Sequence, residues 1–192
     1  ESFYSNVSAN DGVFRFTGRW NFDNTDIPRI FWQGSSIKFD INGDSVKAKL
    51  EANQSGEQFR IIVDGNPQQD VIRLDAGTHD YLLVEYLNST QTHSIEIFKE
   101  TSSNSDYVDF HGIEVQNGSA IQASFQPDLK IAFFGDSNMD GTSLYSEKDS
   151  GSEGSYYAYP ATVSRMLNAE MRLMAIGGAT LTGGGNNTVM HF

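Results

Sequence analysis

The sequence predicts an N-terminal all-β sandwich with jelly-roll connectivity, followed by the first βαβ part of an α/β domain. Residues 1–125 contain many short segments in which apolar and polar residues alternate, and no helical pattern of useful length interrupts them. After Pro127 the pattern changes to a strand, a helix and a second strand. Closely spaced strands are typical of sandwiches, whereas strand–helix–strand units build parallel sheets. We therefore expect two domains, at 1–125 and 126–192.

Strands of the first domain are predicted from apolar residues that recur at every second position. In SSIKFDIN, Ile37, Phe39 and Ile41 face one side while polar residues face the other. The segment FRIIVDGNPQ ends its apolar run at Asp64-Gly65, which is a strong signal for a hairpin. Further strands are predicted at 45–52, 71–74, 81–87, 93–99 and 112–115. No flexible Gly/Ser linker precedes the second domain, so we expect the two to pack closely.

The second domain opens with DLKIAFFGDSNMDG, where an apolar run at 131–134 breaks at Gly135 and leads to Asp136 and Ser137. Glycine permits the turn because it has no Cβ. The carboxyl end of a parallel strand faces the crevice where open α/β sheets bind ligands. A serine at the start of a following helix would lie beside free backbone amides that stabilise an oxyanion. This context favours a nucleophile, although Gly-Asp-Ser alone also occurs in ordinary turns.

A helix is predicted from about residue 160 to 170, then a strand at 171–176 and a glycine-rich turn. Pro160 suits the first helical turn, and Ala161, Val163, Met166 and Leu167 form an apolar stripe at helical spacing. A βαβ unit has parallel strands. The two glycine turns should therefore lie at the same edge of the sheet.

These segments resemble a known family. FFGDS, followed by a helix and then AIGGAT, resembles blocks I and II of the SGNH (GDSL) hydrolases, with Ser137 in the nucleophile position and Gly178 in the oxyanion position. The layout resembles the two-domain acetyl xylan esterases of carbohydrate esterase family 2. The stretches FWQGSSIKFDI and VDFHGIEVQNGSAI are similar to the sandwich of that family. The resemblance covers nearly the whole chain.

The resemblance implies a serine esterase that removes O-acetyl groups from a polysaccharide of the xylan or glucomannan class. Ser137 would form an acyl-enzyme, the backbone amides of Ser137 and Gly178 would form part of the oxyanion hole, and Asp136 would support the turn. No cofactor or metal is implied. Family members act as secreted, periplasmic or cell-surface enzymes, which is the location we expect here.

In the family, the oxyanion-hole Asn and the His base come well after block II, but this sequence ends at Phe192. We expect a missing C-terminal segment or a companion chain to supply them. Without it, the helix at 161–167 and four strand residues would have uncovered apolar faces. These residues are Phe133, Phe134, Met171 and Leu173.

Two alternatives remain open. The chain could be a non-catalytic carbohydrate-binding sandwich with an inactive or incomplete hydrolase remnant, because jelly rolls also serve as binding modules. It could also have another SGNH activity, such as a lipase or a peptidoglycan O-acetyl esterase. The segment GDSNMDGTS differs from the family pattern after the serine, so the substrate follows from resemblance alone.

The composition excludes several classes of partner. The net charge of −12 disfavours nucleic acid and anionic membranes, whereas a neutral polysaccharide is not repelled. The sequence has no cysteine and no apolar run long enough to span a membrane.

Other candidate residues have two interpretations each. Tyr156 could stack on a sugar ring at the cleft or fill the core, and for Tyr159 we expect the core. The loop at 142–157 contains Glu147, Asp149 and Glu153, which lack the regular spacing of a calcium loop and indicate a solvated loop. None of the histidines has a context that identifies it as the base; they are His79, His93, His111 and His191.

Overall fold

The computed structural model describes residues 2–101, 106–142, 144 and 154–180, together with the backbone of residues 187–188. The first part of the chain forms short strands: β1 (Tyr4–Ser8), β2 (Arg15–Thr17), β3 (Trp20–Asn21), β4 (Arg29–Ile30), β5 (Ser36–Asn42), β6 (Ser45–Ala52), β7 (Gln58–Val63), β8 (Asn66–Arg73), β9 (Gly77–Val84), β10 (His93–Lys99), β11 (Val108–Gln116) and β12 (Ser119–Ile121). The second part contains β13 (Leu129–Gly135), α1 (Ser137–Asp140), α2 (Tyr159–Met166), β14 (Ala169–Ala175), β15 (Ala179–Thr180) and β16 (Asn187–Thr188).

The first twelve strands form two six-stranded antiparallel sheets. One sheet has the order β3-β4-β11-β6-β9, with β1 also paired to β11; the other has the order β12-β5-β10-β7-β8, with β2 also paired to β5. Alternate side chains of both sheets meet in one apolar core. The predicted β-sandwich is confirmed, whereas its jelly-roll connectivity stays a prediction.

The sandwich core is built from the residues that the alternating pattern predicts. Ile37, Phe39 and Ile41 of β5 are almost completely buried. The ring of Phe14 packs edge-on against Phe39 and Phe110, with ring centroids 5.5 and 5.0 Å apart respectively. Burying a side chain of this size contributes roughly 1.5–3 kcal/mol, so each of these rings stabilises the sandwich.

The hairpin between β7 and β8 turns at the predicted dipeptide. Asp64 and Gly65 have φ angles of 51° and 77°, and Val63 pairs with Asn66 across the turn. A two-residue hairpin with positive φ at both positions matches the twist of the flanking strands.

Strands β13 and β14 pair in parallel, and α1 and α2 lie between them in sequence. The helix and the second strand both begin and end earlier than predicted, because α2 ends at Met166 and β14 begins at Ala169. Asn168 adopts a left-handed backbone with φ 47°, a conformation that ends helices. The next residues can then pair with β13 from Leu129 onwards.

One face of β14 packs against the outer surface of the sandwich. Met171 and Leu173 join Ile62 and Phe98 in a second apolar cluster, and Leu173 is only 2% exposed. The prediction that Met171 and Leu173 would be uncovered was therefore wrong, because a sheet of the sandwich covers them. Phe134, by contrast, is 49% exposed. The close packing of the two parts is thus observed, with one face of the strand pair covered.

Candidate active site

The turn after β13 presents Ser137 at the start of α1. Asp136 caps this short helix, and its side chain accepts a hydrogen bond of 3.0 Å from the backbone amide of Asn138. Gly135 ends the strand where the Met139 side chain packs so closely that a Cβ would fit only if Met139 moved. The sequence therefore forms a tight turn that leaves Ser137 half-buried beside the helix start.

The carboxylate of Asp136 stabilises the turn in its charged form. The backbone amide of Asn138 is the largest cause that lowers the pKa of Asp136, and the Asn138 side-chain amide adds a second hydrogen bond of 3.0 Å. Hydrogen bonds to a carboxylate favour ionisation. Asp136 is therefore ionised at neutral pH, and its carboxylate stabilises the turn through these two hydrogen bonds.

The glycine turn after β14 lies beside the Ser137 turn. Gly135 and Ala175 are paired in the parallel register, and the backbone amide of Ile176 donates a hydrogen bond of 3.3 Å to the carbonyl of Gly135. Gly178 follows with φ 76°, a left-handed conformation that glycine adopts without strain. Two adjacent parallel strands thus deliver both turns to the same edge.

The backbone amides of Ser137 and Gly178 donate no hydrogen bond to any described residue. The Ser137 hydroxyl likewise has no hydrogen-bond partner within the described ranges. Unsatisfied amides beside a serine hydroxyl can stabilise the oxyanion that forms when the hydroxyl attacks an ester.

Asp140, the last residue of α1, is a buried carboxylate behind this turn. Its side chain accepts hydrogen bonds from the amide and the hydroxyl of Thr142, at 2.7 and 2.5 Å. Burial raises the pKa of Asp140, and the Thr142 hydrogen bonds and the nearby amide of Gly177 oppose this only in part. Its Oδ2 atom is buried without a hydrogen bond of normal geometry to any described residue. The sequence contained no motif that singled out this residue.

The histidines in the described ranges form hydrogen bonds to other residues of the sandwich. The ring of His93 lies 2.7 Å from Asp64 and 3.2 Å from the carbonyl of Asn88. Nε2 of His111 lies 2.9 Å from Glu51, and Nε2 of His79 lies 3.0 Å from the carbonyl of Ala76. None of them hydrogen-bonds Ser137. His191 lies outside the described residues.

Tyr156 is a core residue in the structure. It is 4% exposed, its ring packs edge-on against Phe98 at 5.3 Å, and the guanidinium of Arg165 lies 3.9 Å from its ring centroid. Of the two interpretations of Tyr156, this burial favours core packing, and its contact with substrate stays a prediction. The expected core position of Tyr159 is wrong, since this residue is 46% exposed. Position after the loop could not distinguish these neighbours.

No group of three or more His, Cys, Asp or Glu side chains within the described ranges is arranged to hold a metal ion. Glu147, Asp149 and Glu153 lie outside these ranges. A search of the same residues for a membrane-spanning helix finds none of sufficient length and hydrophobicity.

A cavity of about 210 Å³ lies between the outer face of the sandwich and the α2–β14 region. Its lining includes Lys38, Glu96, Phe125 and Arg165, and does not include Ser137 or Gly178. The cavity is therefore a feature of the contact between the two parts and not of the serine turn.

Comparison with known proteins identifies the family. Residues 16–124, more than half of the chain, match the family model described as "Carbohydrate esterase 2 N-terminal". The chain is 31% identical over 179 residues to the cellulase/esterase CelE of Acetivibrio thermocellus, a match that covers 90% of this chain and 21% of CelE.

Solved structures agree with this match. A family two carbohydrate esterase from Clostridium thermocellum in complex with cellohexaose is 28% identical, with a TM-score of 0.82, over 92% of this chain and 56% of that chain. An acetyl xylan esterase from the rumen bacterium Butyrivibrio proteoclasticus has the same fold at 20% identity, with a TM-score of 0.84, over 99% of this chain and 53% of that chain. The chain thus spans about a fifth of CelE and slightly more than half of the solved relatives. Its β-sandwich matches the family directly, and the protein belongs to carbohydrate esterase family 2.

Proposed function

We propose that this chain carries the nucleophile and part of the oxyanion hole of a serine esterase that removes O-acetyl groups from a polysaccharide of the xylan or glucomannan class. The observation that carries the proposal is the meeting of the Ser137 and Gly178 turns at one edge of the β13–β14 pair. Membership of carbohydrate esterase family 2 supports the same chemistry. We also propose that 1–125 is the sandwich domain and that 126–192 is the N-terminal portion of an SGNH α/β-hydrolase domain.

The proposed reaction has two steps. The Ser137 hydroxyl gives its proton to a histidine base as its oxygen attacks the acetyl carbonyl, and the oxyanion is held by the amides of Ser137 and Gly178. The intermediate collapses, the sugar oxygen leaves with the proton from the histidine, and the acetyl group stays on Ser137. Water then attacks this ester with the same histidine as base, which releases acetate and restores the serine.

The base and the third oxyanion donor come from outside the described residues in this proposal. The described histidines are held in the sandwich, and the solved relatives are longer than the segment that this chain matches. We propose that a further segment or a companion chain supplies the histidine and an asparagine. The same segment would cover Phe134 and Leu129, which are 49% and 45% exposed.

The proposed substrate is a neutral polymer, which the net charge of −12 does not repel. A polysaccharide is too large to cross a membrane unaided. We therefore propose that the protein acts outside the cytoplasm, as a secreted, periplasmic or cell-surface enzyme.

A serine-directed fluorophosphonate tests the proposal. Protein isolated from its natural source is treated with the reagent, and intact mass spectrometry under denaturing conditions shows both the number of polypeptides and the number of adducts. We expect one adduct that maps to Ser137, and release of acetate from acetylated xylan. Ser137→Ala should abolish both while largely retaining affinity for the polysaccharide. Ser5→Ala, which changes a serine of the sandwich, should abolish neither.

Two results would count against the esterase. A protein that binds acetylated xylan but forms no adduct and releases no acetate would be a carbohydrate-binding module with an inactive remnant. Acetate release that persists in the Ser137→Ala variant would place the nucleophile elsewhere.

A further inference from the structure

Gln33 connects the sandwich to the strand that leads into the glycine turn. It lies between β4 and β5, is 1% exposed, and its Nε2 donates a hydrogen bond of 2.6 Å to the carbonyl of Ala175. Ala175 is the last residue of β14 and comes three positions before Gly178. The Oε1 atom of Gln33 is buried with no hydrogen bond to a described residue. The side chain is thus committed to this single contact with the strand end.

Ser155 connects the sandwich to the other turn. It is completely buried, and its Oγ lies 2.7 Å from the carbonyl of Glu100 and 2.7 Å from the carbonyl of Asp140. One hydroxyl proton can serve only one of these acceptors at a time, so Ser155 is shared between the residue after β10 and the end of α1. The amide of the preceding residue, Gly154, also donates a hydrogen bond of 3.0 Å to the carbonyl of Gly141.

The sandwich end of this connection is held by buried charges. The carboxylate of Glu100 is inaccessible to solvent and accepts hydrogen bonds from Nε of Arg60 at 2.5 Å and from the amide of Tyr156 at 2.9 Å. Arg60 in turn donates a hydrogen bond of 2.8 Å to the carbonyl of Gln68 in β8. Water does not compete for the hydrogen bonds of charged groups in a buried site, so these groups hold a fixed geometry.

The two connections link the same sandwich to the two different turns. Gln33 and Glu100 both belong to the sandwich, whereas Ala175 and Asp140 lie beside the glycine turn and the serine turn respectively. We propose that Gln33 and Ser155 are positioning residues through which the sandwich sets the separation between the backbone amides of Ser137 and Gly178. The catalytic consequence rests on the proposed function, whereas the effect on the two turns does not.

The sandwich is then part of the catalytic apparatus without contacting the ester. A displacement of about 1 Å in such a site costs up to roughly 100-fold in rate. The effect should appear in kcat with KM unchanged, because an oxyanion is present in the transition state and absent from the bound substrate.

Hydrogen–deuterium exchange tests the positioning role without requiring activity. Ser155→Ala should speed exchange in residues 136–142, and Gln33→Met, which keeps the length of the side chain but not its donor, should speed exchange in residues 175–180. We expect roughly fivefold to tenfold faster exchange, as for one lost hydrogen bond. Ser45→Ala is the matched control, because this buried serine bonds only Gln116 within the sandwich, at 2.9 Å.

Turnover of an acetylated substrate provides the second measurement. Both variants should lower kcat by roughly 10- to 100-fold with KM unchanged, and the control should leave kcat unchanged. If Ser155→Ala does not fold, Ser155→Cys keeps the volume and a weak donor and should give an intermediate effect.

The outcomes separate this proposal from the proposed function. Exchange that matches the unsubstituted protein in both turns would overturn the positioning role, as would faster exchange with unchanged kcat. An unsubstituted protein without esterase activity would overturn the proposed function alone, because the exchange rates would still report on the two turns.

Discussion

The carboxylate of Asp140 accepts hydrogen bonds from both the backbone amide and the hydroxyl of Thr142, at 2.7 and 2.5 Å, while it is 1% exposed. These hydrogen bonds link the end of α1 to the segment that follows it, behind the Ser137 turn. It also places a carboxylate where water cannot solvate it, so that the pKa of Asp140 is raised by burial. We therefore expect the stability of this turn to depend on pH through Asp140, which takes no part in the proposed chemistry.

Asp140→Asn should remove this dependence. The raised pKa means that the unfolded chain loses the Asp140 proton at a lower pH than the folded protein does, so this residue reduces stability as pH rises above its ordinary value of 3.8. The asparagine oxygen can still accept from Thr142. We expect the free energy of unfolding of the variant, relative to the unsubstituted protein, to increase from pH 3.5 to pH 6. Urea titrations at both pH values measure it, and a constant difference would contradict the prediction.

Asp64→Asn should change the pH dependence of the sandwich. The hydrogen bond to Asp64 raises the pKa of His93, so the protonated ring stabilises the fold below about pH 6.5 and this stability is lost as pH rises through the folded pKa. For Asp64, burial alone would raise the pKa, but the bonds from His93 and Ser94 outweigh it and lower the pKa, so its contribution is lost only as pH falls below its ordinary 3.8.

The Asn variant keeps an acceptor for the Ser94 amide and suits the left-handed turn before Gly65. We expect it to be less stable than the unsubstituted protein at pH 5.5, by less than about 1 kcal/mol because the Asp64 side chain is 45% exposed, with a smaller difference at pH 8.5. Chemical denaturation at the two pH values is the measurement. Equal differences at the two pH values for Asp64→Asn would refute the coupling.

Gly178→Ala should reduce turnover more than stability. A Cβ at this position meets no atom within 4 Å, but the φ of 76° strains alanine by roughly 1–2 kcal/mol. Relief of that strain would move the amide that the proposed oxyanion hole requires, and kcat should fall by about tenfold or more. Gly177→Ala is the control, because it has equal space without the left-handed backbone. Equal kcat values for the two variants would exclude a special role for Gly178.

Leu173→Ala should destabilise the contact between the sandwich and the β13–β14 pair. Leu173 is 2% exposed in the cluster with Ile62 and Phe98, so truncation should cost roughly 2–4 kcal/mol. Leu167→Ala makes the same chemical change at a side chain that is 54% exposed and should cost less than about 1 kcal/mol. Thermal unfolding compares the two, and similar losses would mean that the contact does not stabilise the protein.

Local chemistry explains which features the sequence could predict. The alternation in β5, the positive-φ turn at Asp64-Gly65 and the break at Gly135 each depend on residues close together in the chain. The family resemblance also rested on contiguous motifs, and the comparisons confirm it. The position of Ser137 at the start of a short helix agrees with the expected layout, while its role as nucleophile stays a prediction.

The sequence by itself determined the strand pattern, the order of the elements and the two glycine turns, because backbone preferences and side-chain periodicity act over a few residues. Only the tertiary structure decided that Tyr156 is buried and Tyr159 exposed, that the sandwich covers Met171 and Leu173, and that Asp140 lies in a desolvated site. Gln33 and Ala175 are 142 positions apart, and no local pattern links a buried amide to a carbonyl at that separation. Their contact exists because packing of the two apolar surfaces brings the polar groups together, where each buried donor requires an acceptor.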